Sequence, residues 1–215
     1  MIFVIKQTQT NFNMEWIAQV GDLDVVCIRA PFVKGEFFAE FEGKNYSQRL
    51  VFNPSDTSFG TKLKDRFSFR LYENEEYIGY MVGNTRKERK GFMPFVGYPY
   101  YEYKYRETQI FGYEVGFGHR GVYLCIYEGD ELIAVVDKKL TVIDYKDEYT
   151  CYMLDSKHYK EVVPFVIYYD TLCYNDIMER SVRSKKTDIV NTFQKDLIAK
   201  YDESYIPRVI AQDSV

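Results

Sequence analysis

The strongest pattern in the chain is an apolar run at residues 162–169, inside the stretch YKEVVPFVIYYDTLCY at 159–174. Nearly every position in the run is apolar or aromatic, so no face is reserved for water. A helix of that kind has to be covered all round by other elements. Asp155 or Ser156 can serve as its N-cap, and Asp170, Asn175 and Asp176 close it off. Pro164 falls inside the run, where it either kinks the helix or occupies its first regular turn. The run is too short to span a bilayer. The pattern predicts a buried central helix over about 157–174.

Ahead of this run, apolar and polar positions alternate in short segments. Residues 2–6 read as a first strand. Segments 16–20 and 25–29 flank Gly21 and Asp22, segments 36–41 and 46–52 flank EGKN at 42–45, and segments 67–72 and 77–82 flank ENE at 73–75. Each pair is a hairpin signal. Residues 53–60 are a loop by composition, and GNTRKERKG at 83–91 reads as a charged loop. In YEYKYR at 101–106 the tyrosines alternate with charges, which gives a strand with one aromatic and one solvated face. Further strands are expected at 110–115, 122–127, 132–137, 140–144 and 149–154. Roughly a dozen strands at spacings of about 8 to 12 residues indicate a sandwich or barrel. After a polar linker at 177–186, residues 187–201 form an amphipathic helix with Ile189, Val190, Phe193, Leu197, Ile198 and Tyr201 on one face. Thr187 can cap it, and Pro207 follows its end.

Several segments share a further pattern: IFGYEV at 110–115, VYLCIY at 122–127, ELIAVVDK at 131–138, DEYTCYM at 147–153 and FVIYYD at 165–170, with IFVIKQ at 2–7. Together they resemble the Tubby C-terminal-like superfamily, and within it the LURP-one-related and phospholipid-scramblase-like proteins. The resemblance covers residues 1–176 and is clearest over 109–172. It implies a closed antiparallel barrel of about twelve strands threaded by one hydrophobic helix. It also implies a binding function of the phosphoinositide or scramblase-related type. The basic, Tyr-rich stretch at 86–106 and the helix after Lys186 depart from the pattern. No membrane anchor is expected after the central helix, a further departure from the scramblase pattern.

Composition changes this picture only in detail. The 215 residues are 46% hydrophobic and 18% aromatic, with 21 Tyr and 16 Phe, a bias that favours strands. The net charge of −4 lacks the basic footprint of a nucleic-acid binder, so no nucleic-acid partner is expected. Cys27, Cys125, Cys151 and Cys173 lie far apart and read as reduced, buried small hydrophobes. MIFVIKQTQT has neither the basic region nor the apolar core of a signal peptide. A cytoplasmic location is expected, with peripheral attachment to a membrane if the basic run meets lipid.

The sharpest local feature is Arg86, Lys87, Arg89 and Lys90 around Glu88, four cations in five positions. Such a cluster can grip lipid phosphates or another anion; the plainer reading is a solvated loop. Lys138 with Lys139, and Arg183 with Lys185 and Lys186, would add to it only from a shared face. Tyr101, Tyr103 and Tyr105, with Tyr98 and Tyr100, either form an aromatic surface or pack one face into the core. Asp144, Asp147 and Glu148 invite a calcium reading through the scramblase resemblance, but their spacing matches no EF-hand loop, and a polar turn explains them. Gly112, Gly116 and Gly118 lack phosphate-loop spacing. His119 and His158 are the only histidines, and no nucleophile motif accompanies them. No catalytic residue, metal site or cofactor is therefore expected.

These readings combine into a mainly β (α+β) chain. Residues 1–176 are expected to form a closed antiparallel β-barrel around the central hydrophobic helix. Residues 177–215 carry a linker and an amphipathic helix that packs on the barrel or on a partner. The expected function is non-enzymatic binding of an anionic lipid or other phosphorylated ligand through Arg86, Lys87, Arg89 and Lys90. One alternative is a structural protein that forms homo-oligomers through its Tyr-rich strand or C-terminal helix. Another is an enzyme with a carboxylate-based site in the barrel mouth.

Overall fold

The computed structural model of the chain describes residues 1–10, 13–20, 24–31, 36–41, 44–52, 67–90, 93–117, 121–139, 146–173 and 195–214. Twelve antiparallel strands run in order: β1 (Ile2–Thr10), β2 (Asn13–Val20), β3 (Asp24–Pro31), β4 (Glu36–Phe41), β5 (Lys44–Phe52), β6 (Phe67–Glu73), β7 (Glu76–Lys90), β8 (Met93–Tyr105), β9 (Thr108–Gly116), β10 (Val122–Glu128), β11 (Glu131–Lys138) and β12 (Glu148–Tyr152). Helix α1 (Tyr159–Cys173) follows β12, then α2 (Lys195–Lys200) and α3 (Tyr205–Asp213). Each strand pairs with its neighbour in sequence, and β1 pairs with both β2 and β12.

Local chemistry accounts for the strands. In β9, Ile110, Gly112 and Glu114 are buried while Phe111 and Tyr113 are half-buried, the period-2 pattern of a strand between two environments. Asn74 and Glu75 both take positive φ, 45° and 70°, and make the two-residue turn from β6 to β7. Left-handed residues at both positions give the turn a twist that matches its strands.

The barrel expectation needs correcting. The strands whose side chains are described form a single nine-strand antiparallel sheet, ordered β2-β1-β12-β11-β10-β9-β8-β7-β6, and that sheet does not close on itself. Its edges β2 and β6 are joined by the backbone ladders of β3, β4 and β5, which complete the ring of pairings. Among the described side chains, Ile5, Trp16, Leu71, Met81, Tyr103, Ile110, Leu124, Val136 and Tyr149, one from each of the nine strands, pack in one cluster with α1.

Every residue of α1 from Val162 to Asp170 is buried. The helix runs unbroken through Pro164. Asp155 caps the short 3-10 turn Ser156–His158 ahead of it, accepting from the Lys157 backbone N–H at 2.9 Å. On the wall, the ring of Phe165 occupies the space that a side chain at position 112 would need. A Cβ there would lie 2.5 Å from Phe165 Cε1 and Cζ, so close packing of α1 on β9 requires glycine.

Of the amphipathic helix expected at 187–201, residues 187–194 lie outside the described residues; the rest is helical as α2, and a further helix, α3, follows after a turn. Asp202 makes the break: its carboxylate accepts from the Ser204 backbone N–H at 2.9 Å and from Ser204 Oγ at 2.7 Å. Such an Asx turn competes with helix continuation. Both helices cover the outer face of the sheet. Leu197 packs with Val115, Cys125 and Tyr127, and Val209 and Tyr205 pack with Val135. Tyr205 donates from its hydroxyl to the Ile133 carbonyl at 2.6 Å. The strand expected at 140–144 and the linker at 177–186 lie outside the described residues.

Candidate functional site

The segment 83–91, expected as a charged loop, is corrected by the ladder. Strand β7 continues through it to Lys90. Arg86 stands opposite Tyr98, Lys87 opposite Gly97 and Lys90 opposite Met93, and Arg89 falls at the irregularity between Glu88 and Lys90. Strand β6 follows β7 only as far as Val82, and β9 follows β8 only to Tyr100. Beyond Asn84 and Tyr100, β7 and β8 pair with each other alone among the described residues. The outcome is a two-stranded ribbon that extends past the sheet by the six residues 85–90, roughly 20 Å at about 3.3 Å per residue. One strand carries TRKERK, four cations less one glutamate, or +3; the other carries MPFVGYP and no charge.

Of the two readings of the tyrosine strand, the described rings follow the packed one rather than the aromatic surface. Tyr101 and Tyr103 are 4% and 1% exposed, and Tyr105 is half-buried against the core. Tyr101 meets Tyr169 edge to face at 5.2 Å between centroids, and Tyr103 meets Phe165 at 6.1 Å. The charged positions between them face outward, where Tyr80 donates to Glu102 at 2.6 Å.

The side of α1 near its C-terminal end holds two buried polar clusters that no sequence motif marked. In the first, Trp16 Nε1 donates to Asp170 Oδ2 at 3.1 Å and the Tyr149 hydroxyl donates to Asp170 Oδ1. Beside it, Asp147 Oδ1 accepts from Lys138 Nζ. The Asp147 backbone N–H donates to Gln7 Oε1 at 3.2 Å. Burial, and then the Asp147 charge, push the Asp170 carboxyl up to about 8. In the second, Tyr169 donates to Glu114 Oε1 at 3.0 Å and Tyr101 reaches the same oxygen at 3.5 Å, with Cys173 Sγ 2.8 Å from the Tyr101 hydroxyl. These carboxylates accept from tyrosine and tryptophan donors inside the core.

The remaining candidates disperse. Lys138 is 1% exposed in its ion pair with Asp147, and the more exposed Lys139 bonds Glu148 at 3.3 Å. That same pairing takes Asp147 and Glu148 away from a calcium site, and Asp144 lies outside the described residues. No three His, Cys, Asp or Glu side chains among the described residues gather as a metal set. Cys125 and Cys151 are buried free thiols, and burial alone raises both. His158 is buried, 3.7 Å from Glu128. Cys27, His119, Arg183, Lys185 and Lys186 have no described side chain.

No protein-family model matches the chain, and no curated protein or solved structure matches it either. No described helix is long and apolar enough to cross a membrane.

Proposed function

We propose that the protein is a non-enzymatic binding protein whose β7–β8 ribbon engages an anionic lipid surface. The observation that carries this reading is the two-stranded extension beyond the sheet, with its cations on one strand and apolar and aromatic residues on the other. A juxtaposition of that kind suits a membrane interface, where cations meet headgroup phosphates and aromatic residues sit at headgroup depth. A net +3 on the ribbon in a chain of net −4 concentrates the attraction there. The resemblance of residues 109–172 to Tubby-like proteins is compatible with it. Tyr101 and Tyr103 lie in the core and Leu197 of α2 packs on the sheet, which supports placing the ligand contact on the ribbon.

Flotation with vesicles of phosphatidylcholine, alone or mixed with phosphatidylserine, tests the reading. The chain is expected to float with the mixed vesicles only, and less so as salt rises. With Arg86, Lys87, Arg89 and Lys90 all replaced by Ser, partitioning should fall roughly a thousandfold, at about 1 kcal/mol per cation. Equal flotation of the two proteins would sink the reading. Loss of flotation to added inorganic phosphate at constant ionic strength would mean that a phosphate pocket, rather than a lipid surface, is recognised.

A further inference from the structure

The Asp170 cluster joins α1 to four strands or their ends: Trp16 from β2, Tyr149 from β12 with Asp147 just ahead of it, Lys138 at the end of β11, and Gln7 from β1. Trp16, Lys138, Asp147, Tyr149, Asp170 and Gln7 are all buried. Its charged members are two carboxyl groups and one ammonium. With both carboxyls ionised the core would hold one uncompensated negative charge; one added proton makes the cluster neutral. The Asp147 charge acts in the same direction as burial, and both favour a protonated Asp170.

We propose that this cluster is a proton-operated latch, in which one proton held between Asp170 and Asp147 fastens the last turns of α1 to the β1–β12–β11 wall, and loss of that proton releases them. The charged and titratable groups facing Asp170 from the described elements are Asp147, Lys138 and Tyr149; Trp16 and Gln7 are neutral partners. On α1 itself the neighbouring Tyr169 is turned to Glu114, not to Asp170. Burial and then Asp147 oppose the ionised form of Asp170 and prevail over Tyr149 and Lys138, which favour it. The sign follows. A carboxyl raised above its unfolded value takes up a proton on folding, so its contribution is fullest near pH 4 and below. It is lost as pH rises to about 8 and is level beyond. Within that window the equilibrium constant for opening rises up to tenfold per pH unit from this group.

Two readouts on the full chain test the latch. Infrared spectra should contain a protonated-carboxyl band near neutral pH that fades above about pH 8 and is missing in Asp170→Asn. Urea midpoints of the native protein should fall between about pH 5 and 8, with a shallower fall in Asp170→Asn, which keeps a neutral side chain at all pH values. Parallel midpoint curves for the two proteins, or no carboxyl band at neutral pH, would overturn the proposal. If Asp170→Asn does not fold, native hydrogen exchange decides. Opening of residues 169–173, corrected for base catalysis, should increase with pH relative to β10, and equal pH dependence in the two segments would contradict the latch.

Discussion

Phe165→Ala is expected to lower stability by about 3–5 kcal/mol, among the largest effects available in this chain. Phe165 is fully buried at the middle of α1. Its ring fills the space left by the missing side chain of Gly112 and meets Tyr103 edge to face. No neighbouring side chain on the wall can swing in from position 112, because there is none. The cavity therefore stays, and the cost should lie in the upper part of the range for Phe truncation. Urea denaturation measures it, with the midpoint displaced and the slope unchanged. A loss under about 1 kcal/mol would mean that the core collapses around the gap, and that α1 is not held in register by this contact.

Lys138→Met comes next. It leaves Asp147 and Asp170 buried together without their cation, and breaking a buried pair in this way costs about 3–5 kcal/mol. Asp170, already raised by burial, then favours protonation further, so the loss should deepen as pH rises. Adding Asp147→Asn removes the orphaned charge, and the double variant is expected to be more stable than Lys138→Met alone. Denaturation midpoints of the four proteins in the cycle measure the coupling. Simple additivity of the two single losses would show that Lys138 and Asp147 do not act as a pair.

Much of this architecture was legible where the signal was local. The apolar run at 162–169 announced a helix covered on all sides, and α1 is buried from Val162 to Asp170. Turn residues between alternating segments announced the pairings of β2 with β3, β4 with β5 and β6 with β7. Where the sequence misled, the deciding contact was usually distant. Trp16 and Asp170 are separated by 154 positions, and Tyr169 and Glu114 by 55, so no spacing along the chain could link them. The one local clue was phase. Glu114 shares its parity with Ile110 and Gly112, which marks a carboxylate on the buried side of β9. The tyrosines of β8 alternate clearly, but a ring with a hydroxyl suits a wet face or a core with acceptors, and the acceptors lie on β9 and α1. Charge and flanking glycines made 83–91 look like a loop, although charged residues are a common device on exposed strand edges. Pro207 looked like a terminator after one long helix. It stands instead in the first turn of α3, where its missing N–H breaks no helical bond.

The proposed binding mode divides the molecule: the ribbon would meet the lipid surface, and the core around α1 would not. Amide hydrogen exchange of the full chain, with and without phosphatidylcholine–phosphatidylserine vesicles, tests that division directly. Protection is expected to rise at residues 85–90 and 95–98 and to stay unchanged in α1 and β10. Protection that rises in α2 and α3 while the ribbon is unaffected, or that rises nowhere, would contradict it.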